Sequence, residues 1–219
     1  MKKMNIVYED KSIIVIDKPA GLLTMSTDNE SERTLFHQVY TYLKQKNKNN
    51  KVFIVHRLDK DTSGLVVFAK SEKDKAFLQE NWNSFKRKYV AIVEGIPEKK
   101  EDTIKTWLKE TKTFLSYSSN KPNDGKLALT KYKVLKTNKN QSLLDIEILT
   151  GRKNQIRVHM KEIGNPILGD KKYGAKPNLT FGLYAYYLQI IHPKTKQCIT
   201  LVKDFPPSFL KLFQENIRK

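Results

Sequence analysis

A carboxylate and a guanidinium lie close together in the segment HRLDKDTSGLVVFAK, which runs from His56 to Lys70. Asp59 follows Arg57 by two residues, and a Thr-Ser-Gly turn leads from these charges into the apolar run LVVF. Two exposed loop charges would contribute less than about 1 kcal/mol as a pair. Against that simple interpretation, the apolar run anchors the loop in the core, and Gly64 permits a close backbone approach there. The segment is therefore a candidate catalytic loop.

The acid in this loop needs a cation beside it. A lone carboxylate at the edge of an apolar sheet is driven towards its protonated form unless a positive charge compensates it. Arg157 is the candidate for that charge, because it flanks a helical apolar stripe formed by Ile156, Met160 and Ile163. From such a position a side chain can point from a packed helix into a cleft. We therefore predict that Arg157 pairs with Asp59.

The sequence lacks the common cofactor patterns. It has neither the G-x-x-x-x-G-K-[ST] loop of nucleotide-binding proteins nor a G-x-G-x-x-G turn between a strand and a helix. The histidines show no metal-ligand spacing and are His37, His56, His159 and His192. A single cysteine, Cys198, excludes an internal disulfide and fits a reducing cytoplasm. We expect no metal and no nucleotide cofactor, so that catalysis rests on carboxylates, arginines and tyrosines.

The formal net charge of +18 indicates a polyanionic partner. The stretch from Gly151 to Lys219 contains 13 lysines and arginines against 4 acidic residues. Nucleic acid is the first expectation, because aromatic residues accompany the charge, and an anionic membrane is the second. The start MKKMNIVYED does not have the pattern of a signal peptide, and no apolar run approaches the roughly 20 residues that span a bilayer. We expect a cytoplasmic protein without a membrane segment.

Local patterns predict the elements that must position these residues. Predicted strands lie in NIVYEDKSIIVIDK, VFIVHRL, SGLVVFAK, KRKYVAIVEG, LALTKYKVLKT, SLLDIEILT, LYAYYLQIIHP and QCITLV. Predicted helices run from Thr34 to about Lys46, from Ser71 as N-cap, through NQIRVHMKEIG and through PPSFLKLFQENI. SGLVVFAK is a continuous apolar run, which predicts a strand buried on both faces, and LALTKYKVLKT and SLLDIEILT are predicted to form an antiparallel pair. From Ile96 to Gly125 the apolar pattern is weaker, and we expect strands and loops there. This mixture indicates an α+β fold, with a mixed, mainly antiparallel central sheet and flanking helices. We expect a single domain over residues 1–219, whose two sub-lobes meet at roughly 96–125.

Five segments in order resemble the RluA family of RNA pseudouridine synthases. They are DKPAGLLTMS, HRLDKDTSGLVVFAKS, KRKYVAIVEG, LTGRKNQIRVHMKEIGNPILGDKKYG and LYAYYLQIIHPKT. The resemblance extends from about Asn5 to Pro206 and implies the pseudouridine synthase catalytic-core fold with a central cleft. Only a few residues precede the first motif, so we expect the family's S4-like RNA-binding domain to be absent. Two positions depart from the family pattern, which usually has histidine where Asn154 and Tyr184 stand. Asn154 can be interpreted as the N-cap that keeps the following helix, and Arg157 on it, in place.

The resemblance also implies roles for the site residues. Asp59 is the carboxylate that acts at ribose C1′, either by bonding to it or by removing a proton from the sugar. Arg157 pairs with Asp59, Tyr89 stacks on the target uracil, and Arg57 fills the space of the flipped base. Ile156 closes the other face of the base or is an ordinary core residue. Residues of the same motifs that we predict to contact RNA are His56, Thr62 and Arg152.

The predicted function is therefore the conversion of specific uridines in ribosomal or transfer RNA to pseudouridine, by a monomer that needs no cofactor. A second hypothesis is a non-catalytic RNA-binding or ribosome-assembly protein on the same scaffold. The intact HRLDKD segment argues against it, because a protein that has lost its catalytic activity has no physical need for a paired acid. A third is a DNA- or nucleoside-directed enzyme with carboxylate chemistry, which the resemblance disfavours.

Overall fold

The computed structural model describes residues 4–26, 33–113 and 115–214. The strands, in chain order, are β1 (Ile6–Glu9), β2 (Ile13–Lys18), β3 (Phe53–Ile54), β4 (Ser63–Ala69), β5 (Lys86–Glu94), β6 (Glu101–Glu110), β7 (Ser116–Ser119), β8 (Lys126–Thr137), β9 (Gln141–Ile148), β10 (Leu183–Ile191) and β11 (Cys198–Val202). The α-helices are α1 (Leu35–Lys46), α2 (Glu72–Glu80), α3 (Gln155–Glu162) and α4 (Pro207–Lys211). The predicted α+β class is confirmed.

The chain divides into two compact units. The first consists of Met1–Phe85 and Tyr187–Val202, and the second of Lys86–Tyr186 and Lys203–Lys219. The stretch 96–125, where the pattern suggested a junction, lies inside the second unit. It holds β6 and β7, which pair antiparallel with each other. The weak apolar pattern there therefore belongs to sheet strands.

In the first unit, β2 lies between β1 and β4, and both neighbours run antiparallel to it. The four apolar residues that begin β2 are completely buried, and Leu65 to Ala69 of β4 are at most 2% exposed. A strand buried on both faces reads as a continuous apolar run, as predicted for this segment. Ser71 caps α2 by accepting a hydrogen bond of 3.0 Å from the backbone N–H of Asp74. Both sequence predictions are confirmed.

In the second unit, five strands lie in the order β5-β9-β8-β6-β7, and each neighbouring pair is antiparallel. The predicted pairing of β8 with β9 is confirmed. Helix α3 packs on one face of these strands. Its Met160 joins a core cluster with Ile146, while Val158 packs with Leu108. The alternation of buried and exposed residues along β6 follows from this one-sided packing.

A buried histidine fastens α3 to the sheet. His159 is 0% exposed, and its two ring nitrogens each lie 2.8 Å from a threonine hydroxyl, of Thr106 in β6 and of Thr130 in β8. Burial lowers the pKa of His159 to about 4. The ring is therefore neutral at physiological pH and has a structural function. Within the described residues, none of the helices has the length and apolar character that crossing a bilayer requires.

Candidate active site

Asp59 lies in the loop between β3 and β4 of the first unit. Its neighbour Leu58 is buried and is fixed at both backbone groups by one hydroxyl. The Leu58 N–H donates to Thr24 Oγ1 at 3.2 Å, and the same hydroxyl donates to the Leu58 carbonyl at 2.8 Å. The side chain of Thr62, at the other end of the loop, is buried, whereas Arg57 is exposed. The loop thus holds Asp59 between fixed points and leaves Arg57 accessible to a partner.

A buried lysine, Lys18, is hydrogen-bonded to the backbone of this loop. Lys18, at the end of β2, is 0% exposed, and its ammonium group donates three hydrogen bonds to backbone carbonyls. The acceptors are Pro19 at 3.1 Å, Leu22 at 2.7 Å and Lys60 at 2.9 Å. Lys60 directly follows Asp59, so the bond fixes the backbone of the candidate catalytic residue. Burial lowers the pKa of Lys18 to about 8, although the carboxylates of Asp61 and Asp59 raise it.

This lysine gives a testable pH dependence. Because the pKa of Lys18 in the folded protein, about 8, lies below the ordinary lysine value of 10.5, the unfolded chain binds more protons between those pH values. The contribution of Lys18 to the free energy of unfolding should therefore increase, by up to about 3 kcal/mol, as the pH rises from about 8 to 10.5. Urea unfolding of the parent and of Lys18→Met at several pH values measures the difference. Parallel pH profiles of the two proteins would contradict the assignment.

His56 is tied into the first unit. Its Nε2 accepts a hydrogen bond of 3.1 Å from the backbone N–H of Val67 in β4. Its ring stacks on Trp82, with centroids 4.2 Å apart and an angle of 27° between the planes. These contacts anchor the start of the candidate catalytic loop against the core. The predicted contact of His56 with RNA stays a prediction.

Arg157, in α3 of the second unit, is held from several sides. Its Nε and Nη2 donate to the two carboxylate oxygens of Asp170, both at 2.7 Å. The rings of Tyr173 and Phe181 lie 4.9 and 5.3 Å from its guanidinium carbon. The Arg157 side chain is 9% exposed and that of Asp170 is 1% exposed. A buried, bidentate pair of this kind fixes both the plane and the direction of the guanidinium group.

The predicted N-cap position of Asn154 is confirmed, but its side chain does not cap the helix. It occupies the N-cap position of α3, but its backbone is left-handed, with φ 56° and ψ 19°, and its side chain makes no capping hydrogen bond. Instead, Asn154 Oδ1 accepts from Arg157 Nη1 at 3.0 Å. Asn154 therefore helps to orient Arg157 through this direct contact.

The other predicted residues of the second unit are Tyr89, Ile156 and Arg152. Tyr89 in β5 pairs with Ile146 and packs against the cluster that contains Ile156 and Met160, so it lies on the α3 side of the sheet. Ile156 is 6% exposed and belongs to that core. Arg152 Nε donates to a β8 carbonyl at 2.9 Å. The predicted residues thus form two groups, one in the first unit around Asp59 and one in the second around Arg157. Their pairing stays a prediction.

Sequence reasoning missed Lys18 and Asp170. Both carried a signal: a lysine that ends an apolar strand before a Pro-Ala-Gly turn, and an acid between Leu-Gly and a Lys-Lys-Tyr-Gly segment. Neither signal names a partner. Lys18 contacts a carbonyl 42 residues away, and Asp170 meets an arginine 13 residues away. Within the described residues, no group of histidine, cysteine or acidic side chains has the arrangement of a metal site.

Comparison with known proteins bears on the same segments. The family model for RNA pseudouridylate synthase matches residues 12–162. An uncharacterized RNA pseudouridine synthase of Bacillus subtilis, YhcT, is 34% identical over 216 residues, which are 96% of this chain and 71% of that protein. The ribosomal large subunit pseudouridine synthase C of Rickettsia prowazekii is 38% identical over 83% of this chain and 60% of its own length.

A second ribosomal relative and a solved structure agree with these matches. The ribosomal large subunit pseudouridine synthase D of Zymomonas mobilis is 31% identical over 96% of this chain and 72% of that protein. The structure of human RNA Pseudouridylate Synthase Domain Containing 4 superposes with a TM-score of 0.78 at 23% identity, over 94% of this chain and 90% of that one, and supports the fold. The chain belongs to the RNA pseudouridylate synthase family, as its five sequence motifs predicted.

Proposed function

We propose that this chain converts uridine to pseudouridine in ribosomal RNA and that Asp59 is its catalytic carboxylate. The observation that carries the assignment is the support of the Asp59 loop by Lys18 and Thr24, which fix the backbone on both sides of the acid. A catalytic group acts efficiently when its support holds it in the reacting geometry. The ribosomal substrate is proposed because the relatives with printed targets are ribosomal large subunit synthases.

The reaction is an isomerisation in which atoms and electrons balance without a co-reactant. The bond between ribose C1′ and uracil N1 breaks, and C1′ joins C5 of the turned base. C5 then loses its proton, and N1 gains one. Positive charge develops on C1′ during cleavage, as in glycosidases, and a carboxylate can stabilise or capture it. Asp59 is proposed for this step, with Arg157 as the cation that keeps it charged and aimed.

The base must leave the RNA stack before Asp59 can reach its sugar. Extrusion costs a few kcal/mol, which contacts to the flipped base and to the vacated space offset. Tyr89 is proposed to stack on the uracil, since its ring is partly exposed on the α3 side of the sheet. Arg57 is proposed to fill the vacated space, since it is exposed two residues before Asp59.

Arg57→Ala tests the flipping role. We expect modification of a base-paired target to fall about tenfold or more, because the extrusion cost is no longer offset. Modification of the same uridine in an unstructured oligonucleotide should change little. Lys60→Ala is the matched control, because Lys60 is an exposed cation of the same loop whose backbone carbonyl is kept. Equal losses on both RNAs would argue against flipping.

The substrate assignment is tested by mapping pseudouridines across total RNA from cells with and without this protein. We expect one or more ribosomal RNA sites to disappear in its absence, to return with the parent protein and to stay absent with Asp59→Asn. Sites lost from transfer RNA instead would show that the ribosomal assignment is wrong. An unchanged map would favour the non-catalytic RNA-binding alternative.

A further inference from the structure

Opposite α3, the sheet of the second unit is covered at β5 and β9, where Val90, Ile92 and Leu143 belong to a buried cluster. At β6, β7 and β8 the same face carries partly exposed and exposed side chains. In β6, Thr106 and Leu108 point towards α3, where they contact His159 and Val158. Because side chains alternate along a strand, the intervening Trp107 points to the opposite face. The Trp107 ring is half-buried there. This face therefore presents a large aromatic group away from the α3 core.

The edge strand β7 adds a second ring to the same face. The side chain of Ser116 is buried on the α3 side, where its Oγ accepts a hydrogen bond of 3.4 Å from Nδ2 of Asn154, at the start of α3. The next residue, Tyr117, therefore faces outwards and is 41% exposed. The register pairs Lys109 with Tyr117 and Trp107 with Ser119, so the two rings are diagonal neighbours. Such neighbours lie about 7–8 Å apart, close enough for one ligand strand to cover both.

Three lysines lie on the same face as the two rings. Lys105 Nζ lies 5.7 Å from the centroid of Trp107. Lys109, beside Tyr117, lies two residues further along β6 from Trp107, and its ammonium group donates to the carboxylate of Asp124 at 2.6 Å. Lys131 of β8 is exposed on this face too, paired in register with Thr103. We call this group of residues the ring platform: Lys105, Trp107, Lys109, Tyr117 and Lys131.

We infer that the ring platform binds a single-stranded segment of the substrate RNA. The inference rests on the proposed function and adds to it a second contact surface. Open antiparallel sheets with exposed aromatic rings bind unpaired nucleotides, because every base can stack on a ring and the backbone phosphates attract neighbouring cations. The chain's net charge of +18 has the sign that this partner requires.

The position of the ring platform specifies which part of the RNA it meets. Tyr89 lies on the α3 side of β5, whereas the platform lies on the opposite face. In the strand order, β6 is three strands away from β5, or about 14 Å. Nucleotides adjacent to a uridine held at Tyr89 therefore do not reach the two rings. The platform binds a separate part of a larger RNA, so short substrates should not depend on it.

A pair of double variants tests the inference. Trp107→Leu/Tyr117→Leu removes both rings and keeps apolar side chains, while Trp107→Phe/Tyr117→Phe keeps both rings. Fluorescence anisotropy with labelled ribosomal RNA fragments should show affinity lowered about tenfold or more in the first variant. The ring-keeping variant should stay within about twofold of the parent. Modification of a short oligonucleotide around the target should be the same in all three proteins.

A second measurement covers the case in which the ring-lacking variant does not fold. Lys105→Gln/Lys131→Gln should reduce the slope of log RNA affinity against log salt concentration by about one to two, because two phosphate contacts are lost. Crosslinking with RNA that contains 4-thiouridine should label peptides of β6 or β7. Unchanged RNA affinity in both lysine and ring variants would overturn the inference and leave this face to a protein partner.

The outcomes separate this inference from the proposed function. If the variant without the two rings still forms pseudouridine and binds RNA as tightly as the parent, the RNA-binding role of the ring platform is wrong and the proposed function stands. Ring-dependent binding in a parent protein that forms no pseudouridine would overturn the catalytic assignment and leave the platform intact.

Discussion

Asp59→Asn is expected to lower the rate of pseudouridine formation by at least about 1,000-fold while RNA affinity changes by less than about twofold. The amide has nearly the shape of the carboxylate, so the loop and its contacts to Lys18 and Thr24 stay in place. It lacks the negative charge that stabilises or captures the developing positive charge at C1′. Tritium release from RNA labelled at uridine C5 measures the rate, and filter binding measures the affinity.

Asp61→Asn is the matched control for this change. Asp61 lies two residues after Asp59, is exposed, and also interacts electrostatically with Lys18. Losing the charge of Asp61 should therefore lower the pKa of Lys18, as losing the charge of Asp59 does. Most of the activity should remain. A parent-like rate for Asp59→Asn would exclude its assignment as the catalytic acid. An equal loss in both variants would indicate an effect through the loop rather than through the reacting carboxylate.

Arg157→Met is expected to lower the free energy of unfolding by about 3–5 kcal/mol as well as to abolish activity. The reason is Asp170, whose side chain is 1% exposed and whose two oxygens both accept hydrogen bonds from Arg157. Removing one partner of a buried pair leaves the other charge uncompensated, which costs far more than an exposed pair contributes. Urea unfolding at neutral pH measures the loss.

A second substitution separates stability from catalysis. Arg157→Met/Asp170→Leu removes both charges, so we expect it to recover much of the lost stability but none of the activity. Asp170→Asn keeps Arg157 and a hydrogen-bonding partner, and should lose activity because the guanidinium is less firmly oriented. A cost below about 1 kcal/mol for Arg157→Met would contradict the buried-pair interpretation. Recovery of activity in the double variant would show that Arg157 has no direct function in catalysis.

The sequence predicted those parts of the fold that depend on local pattern. The buried run of β4, the Ser71 cap and the pairing of β8 with β9 depend on neighbouring residues or on short hairpins, which local propensities describe well. The family and the activity were predicted from five ordered motifs. The loop that carries Asp59 was also predicted, because its polar residues lead directly into an apolar strand.

The support of the site was not predictable in the same way. The contact of Lys18 with Lys60, and that of Arg157 with Asp170, are set by the tertiary fold rather than by sequence spacing. Asn154 stands at the predicted N-cap position, but the residue type alone does not indicate its left-handed backbone or the contact of its side chain with Arg157. In residues 96–125, where strands and loops were expected, the strand bounds could not be predicted, because β6 and β7 are amphipathic strands whose exposed face is polar and aromatic. One-sided burial halves the apolar signal of a strand.

The three hydrogen bonds of Lys18 end on main-chain oxygens, which every amino acid possesses. Substitutions at residues 22 and 60 in a saturation library should therefore leave the hydrogen bonds of Lys18 intact, provided that the backbone conformation is unchanged. The lysine itself has no such freedom, since only a long cationic chain reaches all three oxygens from the end of β2. We therefore expect few substitutions to be tolerated at Lys18 and many to be tolerated at residues 22 and 60.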